Sequence, residues 1–499
     1  MTGSTREAGS LGGLGQVLRR PAVTVAVAAV SLLAIVGVGQ TRVTAVTPAD
    51  DTPRTEPVAS TTLVCPVTTA TSALVSTVIA GVAALDGVST GVATLADLTT
   101  RTAASDPLLI SQPGQTVARV FRDKSGPAQL ARATGSFAAG FGADQIIRSG
   151  VGATRGLGAA PCSRPVTDTW LVGGGTTVGR LTQVLLVNDD DSPAQVDLLV
   201  FGPKGPVDAP GGAGIVLPAS SRRQVRLDTL APGLAVTAVH VVTRNGRVGV
   251  TGLDQQSNGL IPLGMSLLPP TTPSTTVVIP NIPAPVRTAR LTIVSPDTDA
   301  TASLTLLTGD GPVVPTGLDQ VALPAGHVVS VDLTPALVHS ASGLRVTSTA
   351  PVVAAVEVRT GEGTDLKEMD SAAGTPALTA PGIVAGLRRG ITHRIDVSAP
   401  DAQAVVRVSL YVPGTAGAVW TQSLTVPKGT TRRIVVPVTT LAASSFVVVA
   451  PVSGGKVYAG REISEAGARG PMIALAPIYP TRATTRVPVV VSVPGSSVG

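Results

Sequence analysis

The chain has 499 residues, of which 43% are hydrophobic; this content excludes a largely disordered protein and predicts several folded units. Only 2% of the residues are aromatic, so the cores must be aliphatic, and the many Val, Thr, Gly and Pro residues are typical of strands joined by turns. The net charge is +6 and no dense basic run contains interleaved aromatic residues, so we expect no nucleic acid among the partners.

An uncharged apolar segment runs from Pro21 to Gly39. As a helix it would extend roughly 28 Å, which matches the hydrocarbon thickness of a bilayer. A pair of arginines directly precedes it, whereas acidic residues such as Asp50 follow it. Since positive charge stays on the cytoplasmic side, the segment predicts a transmembrane helix or signal-anchor over 21–39, with a cytoplasmic N-terminus and an extracytoplasmic linker at 40–60.

Cleavage by signal peptidase is the alternative. The sequence Val43-Thr44-Ala45 has small residues at the spacing that such a cleavage needs. The apolar run is longer than that of an ordinary signal peptide, which favours a retained anchor. We therefore expect a single-pass protein of the cell membrane with most of the chain extracytoplasmic, and secretion after cleavage near Ala45 as the alternative.

The rest of the chain repeats with a step of about 105 residues. Turns that begin with proline lie 105, 106 and 103 residues apart, at Pro113, Pro218, Pro324 and Pro427, and each is followed by a strand with alternating apolar residues. Flanking strands keep the same step. The predicted domains are a tail at 1–20, repeats at 61–165, 166–270, 271–375 and 376–492 (the last with a closing strand), and a tail at 493–499.

Each repeat contains about seven short strands with frequent turns. This pattern predicts an all-β chain of tandem immunoglobulin-like β-sandwiches, arranged as a rod. A propeller-like closed repeat is the alternative, because the leading strand TTLVCP returns as TWLVGG, TVVIPN, PGIVAG and finally VPVVVSVP.

The only two cysteines, Cys65 and Cys162, both lie in the exported part. In an oxidising compartment such an isolated pair predicts a disulfide. It would close a loop of about 97 residues and stabilise the fold by about 4–5 kcal/mol in the chain-entropy model. A metal or redox pair is disfavoured because no histidine lies nearby.

The remaining polar clusters favour structural interpretations. The acidic run Asn188 to Asp191 could hold Ca²⁺, but later repeats keep the turn and lose the acids, which favours a plain hairpin turn. The stretches Gly150 to Gly158 and Glu357 to Asp370 indicate solvated linkers. Arg222-Arg223 and Arg432-Arg433 begin equivalent strands, either as a cationic stripe for an acidic ligand or, preferably, as charges that protect edge strands from aggregation.

The four histidines, at 240, 327, 339 and 393, fall at different positions of the repeat. No zinc-protease or serine-hydrolase motif occurs. We therefore expect no catalytic, cofactor-binding or metal-binding residues and no cofactor.

The stretch from Asp168 to Gly175 (DTWLVGGG), continued by LTQVLLVN, VDLLVF and LPASSRRQVRL, resembles a repeat found in actinobacterial exported proteins. The chain as a whole resembles the DUF5719 family, over most of residues 60–490 and most clearly at 165–256. The resemblance implies one N-terminal membrane segment and tandem β repeats. It implies no activity.

The sequence therefore predicts a membrane-anchored, non-enzymatic scaffold or interaction protein of the bacterial cell envelope, with an envelope protein or a glycan as partner. The alternative is a glycan-binding or polysaccharide-assembly accessory protein, whose sugar platforms would come from the few aromatic residues Trp170, Trp420, Tyr411, Tyr458 and Tyr479. A secreted hydrolase is the third reading and requires acid and base groups that converge in one pocket.

Overall fold

The computed structural model describes residues 54–66, 74–98, 106–122, 126–337, 342–361, 367–387, 389–415, 417–437, 445–467 and 469–487. No helix in these ranges is long and apolar enough to cross a membrane, and the predicted segment Pro21 to Gly39 lies outside them. Residues 57–485 form one compact unit.

This unit contains four modules of antiparallel strands, which confirms the all-β prediction. Module 1 has β2 (Ser60–Cys65), β3 (Leu74–Val82), β4 (Gly91–Asp97), β5 (Leu108–Ile110), β6 (Thr116–Arg122), β7 (Gln129–Gly135), β8 (Phe141–Ser149) and β9 (Gly156–Pro161). Module 2 has β10 (Asp168–Val172), β11 (Arg180–Asn188), β12 (Ala194–Gly202), β13 (Gly205–Val207), β14 (Ile215–Leu217), β15 (Ser221–Arg226), β16 (Ala238–Asn245), β17 (Gly249–Asn258) and β18 (Ile261–Leu268).

Modules 3 and 4 repeat this order. Module 3 has β19 (Ser274–Ile282), β20 (Thr288–Val294), β21 (Ala300–Leu307), β22 (Pro312–Val313), β23 (Val321–Leu323), β24 (Val328–Asp332), β25 (Ser342–Thr360) and β26 (Glu368–Ala373). Module 4 has β27 (Gly382–Leu387), β28 (Thr392–Ala399), β29 (Ala404–Tyr411), β30 (Ala418–Val426), β31 (Thr430–Val435), β32 (Ser445–Gly454), β33 (Tyr458–Glu465) and β34 (Met472–Pro477). The helical residues of the described ranges form short 3₁₀ turns at Ser136–Gly140, Pro210–Gly212, Leu227–Thr229 and Thr334–Ala336.

Each module is a sandwich of two sheets. The leading sheet contains the first strand of the module and has the order β2-β7-β4-β5 in module 1; the trailing sheet contains the last strand and has the order β6-β3-β8-β9. Module 3 differs in that β25 passes through both sheets and supplies the sixth and the seventh strand. The cores between the sheets consist mainly of Val, Leu, Ile and Ala, as the low aromatic content requires.

Strand periodicity explains how these residues form sandwiches. In β12, Val196, Leu198 and Val200 point into the core, while Gln195 and Leu199 face outward. A module has eight strand positions, one more than the seven that the sequence predicts. The eighth strands (β9, β18, β26 and β34) are rich in small residues and lack clear alternation, which hides them in the sequence.

Two predicted linkers are therefore wrong. Gly156 to Gly158 begin strand β9, and only Gly150 to Arg155 form a turn. Glu357 lies inside the long strand β25, and Glu368 to Asp370 begin β26 and are buried. Both stretches are polar or glycine-rich in sequence, but neighbouring modules cover them.

The four modules close into a ring. The eighth strands contact one another in the cycle β9, β18, β26, β34 and back to β9. Their backbones approach closely: a Cβ atom on Gly264, whose φ is +115°, would lie 2.3 Å from the backbone nitrogen of Met369. The eighth strands are therefore in direct contact at the centre of the ring.

Each seam of the ring joins the leading sheet of one module to the trailing sheet of the next. At seam 2/3, Trp170 and Phe201 pack on Val328 and Val353. At seam 4/1, Ile383, Tyr411 and Phe446 pack on Ile79 and Ile146 in the same way. Module 4 thus covers module 1, and the predicted rod is wrong. The ring is closed as the propeller alternative expects, but its units are two-sheet sandwiches.

Strands outside the sandwiches complete the fold. β1 (Arg54–Pro57) pairs with β35 (Thr484–Val487) in a two-stranded sheet. The eighth position of module 4 belongs to β34, and of the predicted closing strand VPVVVSVP only Val487 lies in the described residues.

Candidate functional site

Cys65 and Cys162 form the predicted disulfide. Cys65 ends β2 and Cys162 directly follows β9, with their Cα atoms 4.7 Å apart and their sulfur atoms bonded. Both side chains are buried in the core of module 1. The bond therefore ties the first strand of the module to the end of its last strand.

The acidic run of module 2 forms a tight turn. The backbone N–H of Asp190 donates to the Asn188 side chain at 3.1 Å, and the Asn188 amide donates to the carbonyl of Ser192. Two arginines, Arg132 and Arg247, each lie 3.4 Å from one of the turn's carboxylates. Within the described ranges no group of carboxylates, histidines or cysteines could hold a metal ion.

The histidines stay apart from one another. His240 lies 2.9 Å from the Asp168 carboxylate and stacks on Trp170 with ring centroids 4.5 Å apart. His327 contacts the carbonyl of Ala325, and His393 is buried in module 4. His339 lies outside the described residues.

The two arginine pairs occupy equivalent edge strands, β15 and β31. Burial lowers the pKa of Arg222. Arg433 turns inward, donates to Asp396 at 2.7 Å and lies 2.6 Å from the Glu462 carboxylate. Arg433 is thus part of an internal ion pair. The two arginine pairs therefore do not form a uniform cationic stripe across the modules.

The structure reveals a set of acids that the sequence analysis missed. The seventh strand of every module carries a buried or partly buried acid at a repeating position, and these lie 110, 103 and 105 residues apart, at Asp144, Asp254, Glu357 and Glu462. Superposing the repeats in sequence would have shown this recurrence.

Each of these acids has a specific partner. Arg180 bridges modules 2 and 3, because its guanidinium lies 2.7 Å from Asp254 and 2.5 Å from Glu357. Although burial opposes the charge, these two carboxylates raise the pKa of Arg180. Burial alone would raise the pKa of Glu357, but Arg180 and Arg359 lower it.

The acid of module 1 takes part in the seam with module 4. The backbone N–H of Ala385 donates to Asp144, and the carbonyl of the same residue accepts from Arg461 at 2.8 Å. Burial raises the pKa of Asp144 to about 6, against the charge of Arg461, and lowers the pKa of Arg461 to about 10. One residue of β27 thereby connects a buried acid to a buried base.

A group of deeply buried charges lies where the eighth strands meet. Arg155 of module 1 is 3.1 Å from Glu368 of module 3 and donates to the carbonyl of Gly470 in module 4. The backbone N–H of Leu157 also donates to Glu368. The side chains of Arg155 and Glu368 are 4% and 0% exposed, so no soluble substrate reaches them.

A second carboxylate completes this hub, which consists of Arg155, Glu368 and Asp370. The N–H of Leu475 in module 4 donates to Asp370. Burial raises the pKa of both Glu368 and Asp370 well above the usual carboxyl range. The hub thus joins three modules through buried hydrogen bonds, of which those donated by the Arg155 guanidinium are charge-assisted.

The two tryptophans that the sequence offers as sugar platforms differ in exposure. Trp170 is 2% exposed and fills seam 2/3. Trp420 is partly buried against the core of module 4. A stacking surface for sugars requires an exposed ring face, which Trp170 does not offer.

Comparison with known proteins identifies the family. The family of unknown function DUF5719 matches residues 117–437, well over half of the chain, from β6 of module 1 to the end of the fifth strand of module 4. No curated protein matches the chain at a significant level. The matched region includes parts of all four sandwiches and the hub residues Arg155 and Glu368, and the chain therefore belongs to the DUF5719 family.

Proposed function

We propose that the protein is a non-enzymatic scaffold of the bacterial cell envelope, held at the membrane by residues 21–39, with a ring of four immunoglobulin-like modules outside. Its partner is a second protein of the envelope. The proposal extends to localisation, since a buried disulfide between Cys65 and Cys162 favours an oxidising compartment.

One observation carries the scaffold proposal: large apolar side chains face solvent on the third or fourth strand of every leading sheet. They are Val92 and Leu109 in module 1, Leu199 and Val216 in module 2, Val313 in module 3 and Val419 in module 4, each at least 41% exposed. Exposed apolar surface on soluble proteins is typical of contact sites, and we take its recurrence at equivalent places as the mark of an interaction surface. The ring therefore offers the same kind of contact once per module.

The use of the buried charges supports the same proposal. The acids Asp144, Asp254 and Glu368 face groups of a neighbouring strand or module, and these contacts hold the ring together. A scaffold needs a fixed spacing between its binding surfaces, and buried ion pairs fix geometry because a wrong pairing leaves a charge unpaired.

The test is capture of the partner from envelope fractions by chemical crosslinking to the full-length protein. We expect one envelope protein to be crosslinked by the natural chain and lost with the variants Leu109→Asp and Leu199→Asp. Val178→Asp is the matched control, because Val178 is fully exposed in a turn between strands. The same crosslinks in all three variants would contradict the proposal.

Localisation needs its own measurement. A C-terminally tagged chain should sediment with membranes and become accessible to protease added outside the cell. A tag found in the medium would show cleavage near Ala45 and remove the anchored part of the proposal.

A further inference from the structure

A cavity of about 280 Å³ lies at seam 4/1. Its floor is the outer face of the trailing sheet of module 1, where three strands place their side chains in rows. One row contains Val120, Thr77 and Ile146, and the next contains Arg122, Val75 and Arg148. The opposite wall is formed by Gly386, Leu387 and Glu465 of module 4.

Module 4 leaves the apolar floor of this cavity uncovered. At seam 2/3 the aromatic rings of Trp170 and Phe201 fill the space between the modules. At seam 4/1 the stacked rings of Tyr411 and Phe446 cover the rows near Ile79 instead. Val120 stays 49% exposed, and the side chains beside it are half-buried. An apolar group that removes this surface from water would be stabilised there.

One end of the apolar floor is cationic. Arg148 is held by Glu465, whose carboxylate lies 2.8 Å from its Nε atom. Arg122 is exposed and forms no ion pair within the described residues. Arg122 and Arg148 flank Val75 on adjacent strands. Together with Glu465 they carry one net positive charge. A guanidinium with free N–H groups binds a carboxylate in a two-pronged geometry.

We propose that this cavity binds a single-chain amphiphile with a carboxylate head group, that is, a fatty acid. Its hydrocarbon chain lies along Val120, Val75 and Ile146, and its head group meets Arg122. The volume is at the lower end for ligand pockets, which suits one acyl chain and not a lipid with two.

The probe is a twelve-carbon fatty acid with a photoreactive diazirine in its chain, added to membranes that contain the full-length protein. After irradiation and digestion, we expect labelled peptides from 74–82, 116–122 and 141–149. Val120→Trp fills the floor and should lower this labelling about tenfold, which corresponds to about 1.4 kcal/mol of binding free energy. Val435→Trp is the matched control, because Val435 is 57% exposed on the fifth strand of module 4.

A second variant keeps the test decisive if Val120→Trp misfolds. Arg122→Gln changes an exposed side chain and should lower labelling by the fatty acid but leave labelling by its methyl ester unchanged; Arg223→Gln on β15 should affect neither. Labelling that is spread over all modules, or that is unchanged in both Val120→Trp and Arg122→Gln, would overturn the proposal. Equal or stronger labelling of the same peptides by a two-chain phospholipid probe would also overturn it, in favour of a membrane-lipid contact.

Discussion

The guanidinium of Arg155 lies 3.1 Å from the carboxylate of Glu368, 213 residues further along the chain. The two residues belong to modules 1 and 3, which are not neighbours in the cycle of the ring. The pair thus crosses the centre, and Arg155 also reaches module 4 through the carbonyl of Gly470. Stability of the ring as a whole should depend on this one contact.

Arg155→Ala should lower the free energy of unfolding by about 3–5 kcal/mol, because it leaves the Glu368 carboxylate buried without its partner. Denaturation of the full-length protein in urea measures this loss. The double variant Arg155→Met/Glu368→Leu should lose less than Arg155→Ala alone. Arg226→Ala, which breaks an exposed pair with Asp228, should leave stability almost unchanged. Equal losses in Arg155→Ala and Arg226→Ala would contradict the structural role of the hub.

Replacement of both Cys65 and Cys162 by serine should destabilise the protein by about 2–5 kcal/mol, because the bond closes a long loop. The melting temperature of the natural protein should fall to that of the double-serine variant when reductant is added after partial unfolding. In the double-serine variant, reductant should change nothing. A natural protein whose free thiols react fully without reductant would show that the bond does not form.

The carboxyl of Asp144 has a pKa of about 6 in the folded protein, raised from 3.8 by burial. Its contribution to stability is therefore complete below about pH 4 and is lost as the pH rises through 6. Between pH 4 and pH 7 the natural protein should lose as much as about 3 kcal/mol relative to Asp144→Asn, whose amide keeps the bond from Ala385 and does not titrate.

The control for this prediction is Asp332→Asn. Bonds from Thr334 lower the pKa of Asp332 from its ordinary 3.8, so this carboxyl does not titrate in the pH range in which Asp144 does. Stability curves of Asp332→Asn and the natural protein should run parallel between pH 4 and pH 7. Parallel curves for Asp144→Asn as well would contradict the burial of this carboxyl.

Gly264→Ala should destabilise the ring by about 2–5 kcal/mol, since a methyl group there meets the backbone of Met369 in a left-handed conformation. Gly259→Ala provides the comparison, because Gly259 also has a positive φ but nothing lies within 4 Å of an added Cβ atom. Its cost should be about 1 kcal/mol, from the conformation alone. Thermal unfolding of both variants separates the cost of the steric contact with Met369 from the cost of the left-handed conformation.

Local patterns predicted the strands well. The alternation in RLTQVLLVN corresponds to β11, and the prolines at 113, 218, 324 and 427 mark turns before the fifth strands. These features follow from near-neighbour chemistry, which the sequence displays directly. The pairing of the two cysteines was also accessible, because no other thiol competes.

The ring itself could not be predicted from these patterns. Arg155, Glu368 and Gly470 are separated by more than one hundred residues, and nothing in their local sequence marks them as partners. A stretch such as KEMDSAA looks solvated because its acids are read without their distant arginine. The strand GLGAAP is mistaken for a linker for another reason. Its small residues permit close packing at the centre of the ring, but in sequence they look like those of a flexible connection.

Head-to-tail contacts of one kind close only when each step turns the chain by the same fraction of a circle, which is about 90° for four units. In this protein the contact between the last and first modules repeats the contact inside the chain. Loss or duplication of a single repeat would therefore leave a gap or an overlap and expose apolar seams to water. Selection should therefore keep the number of repeats at four, because any other number would prevent the ring from closing.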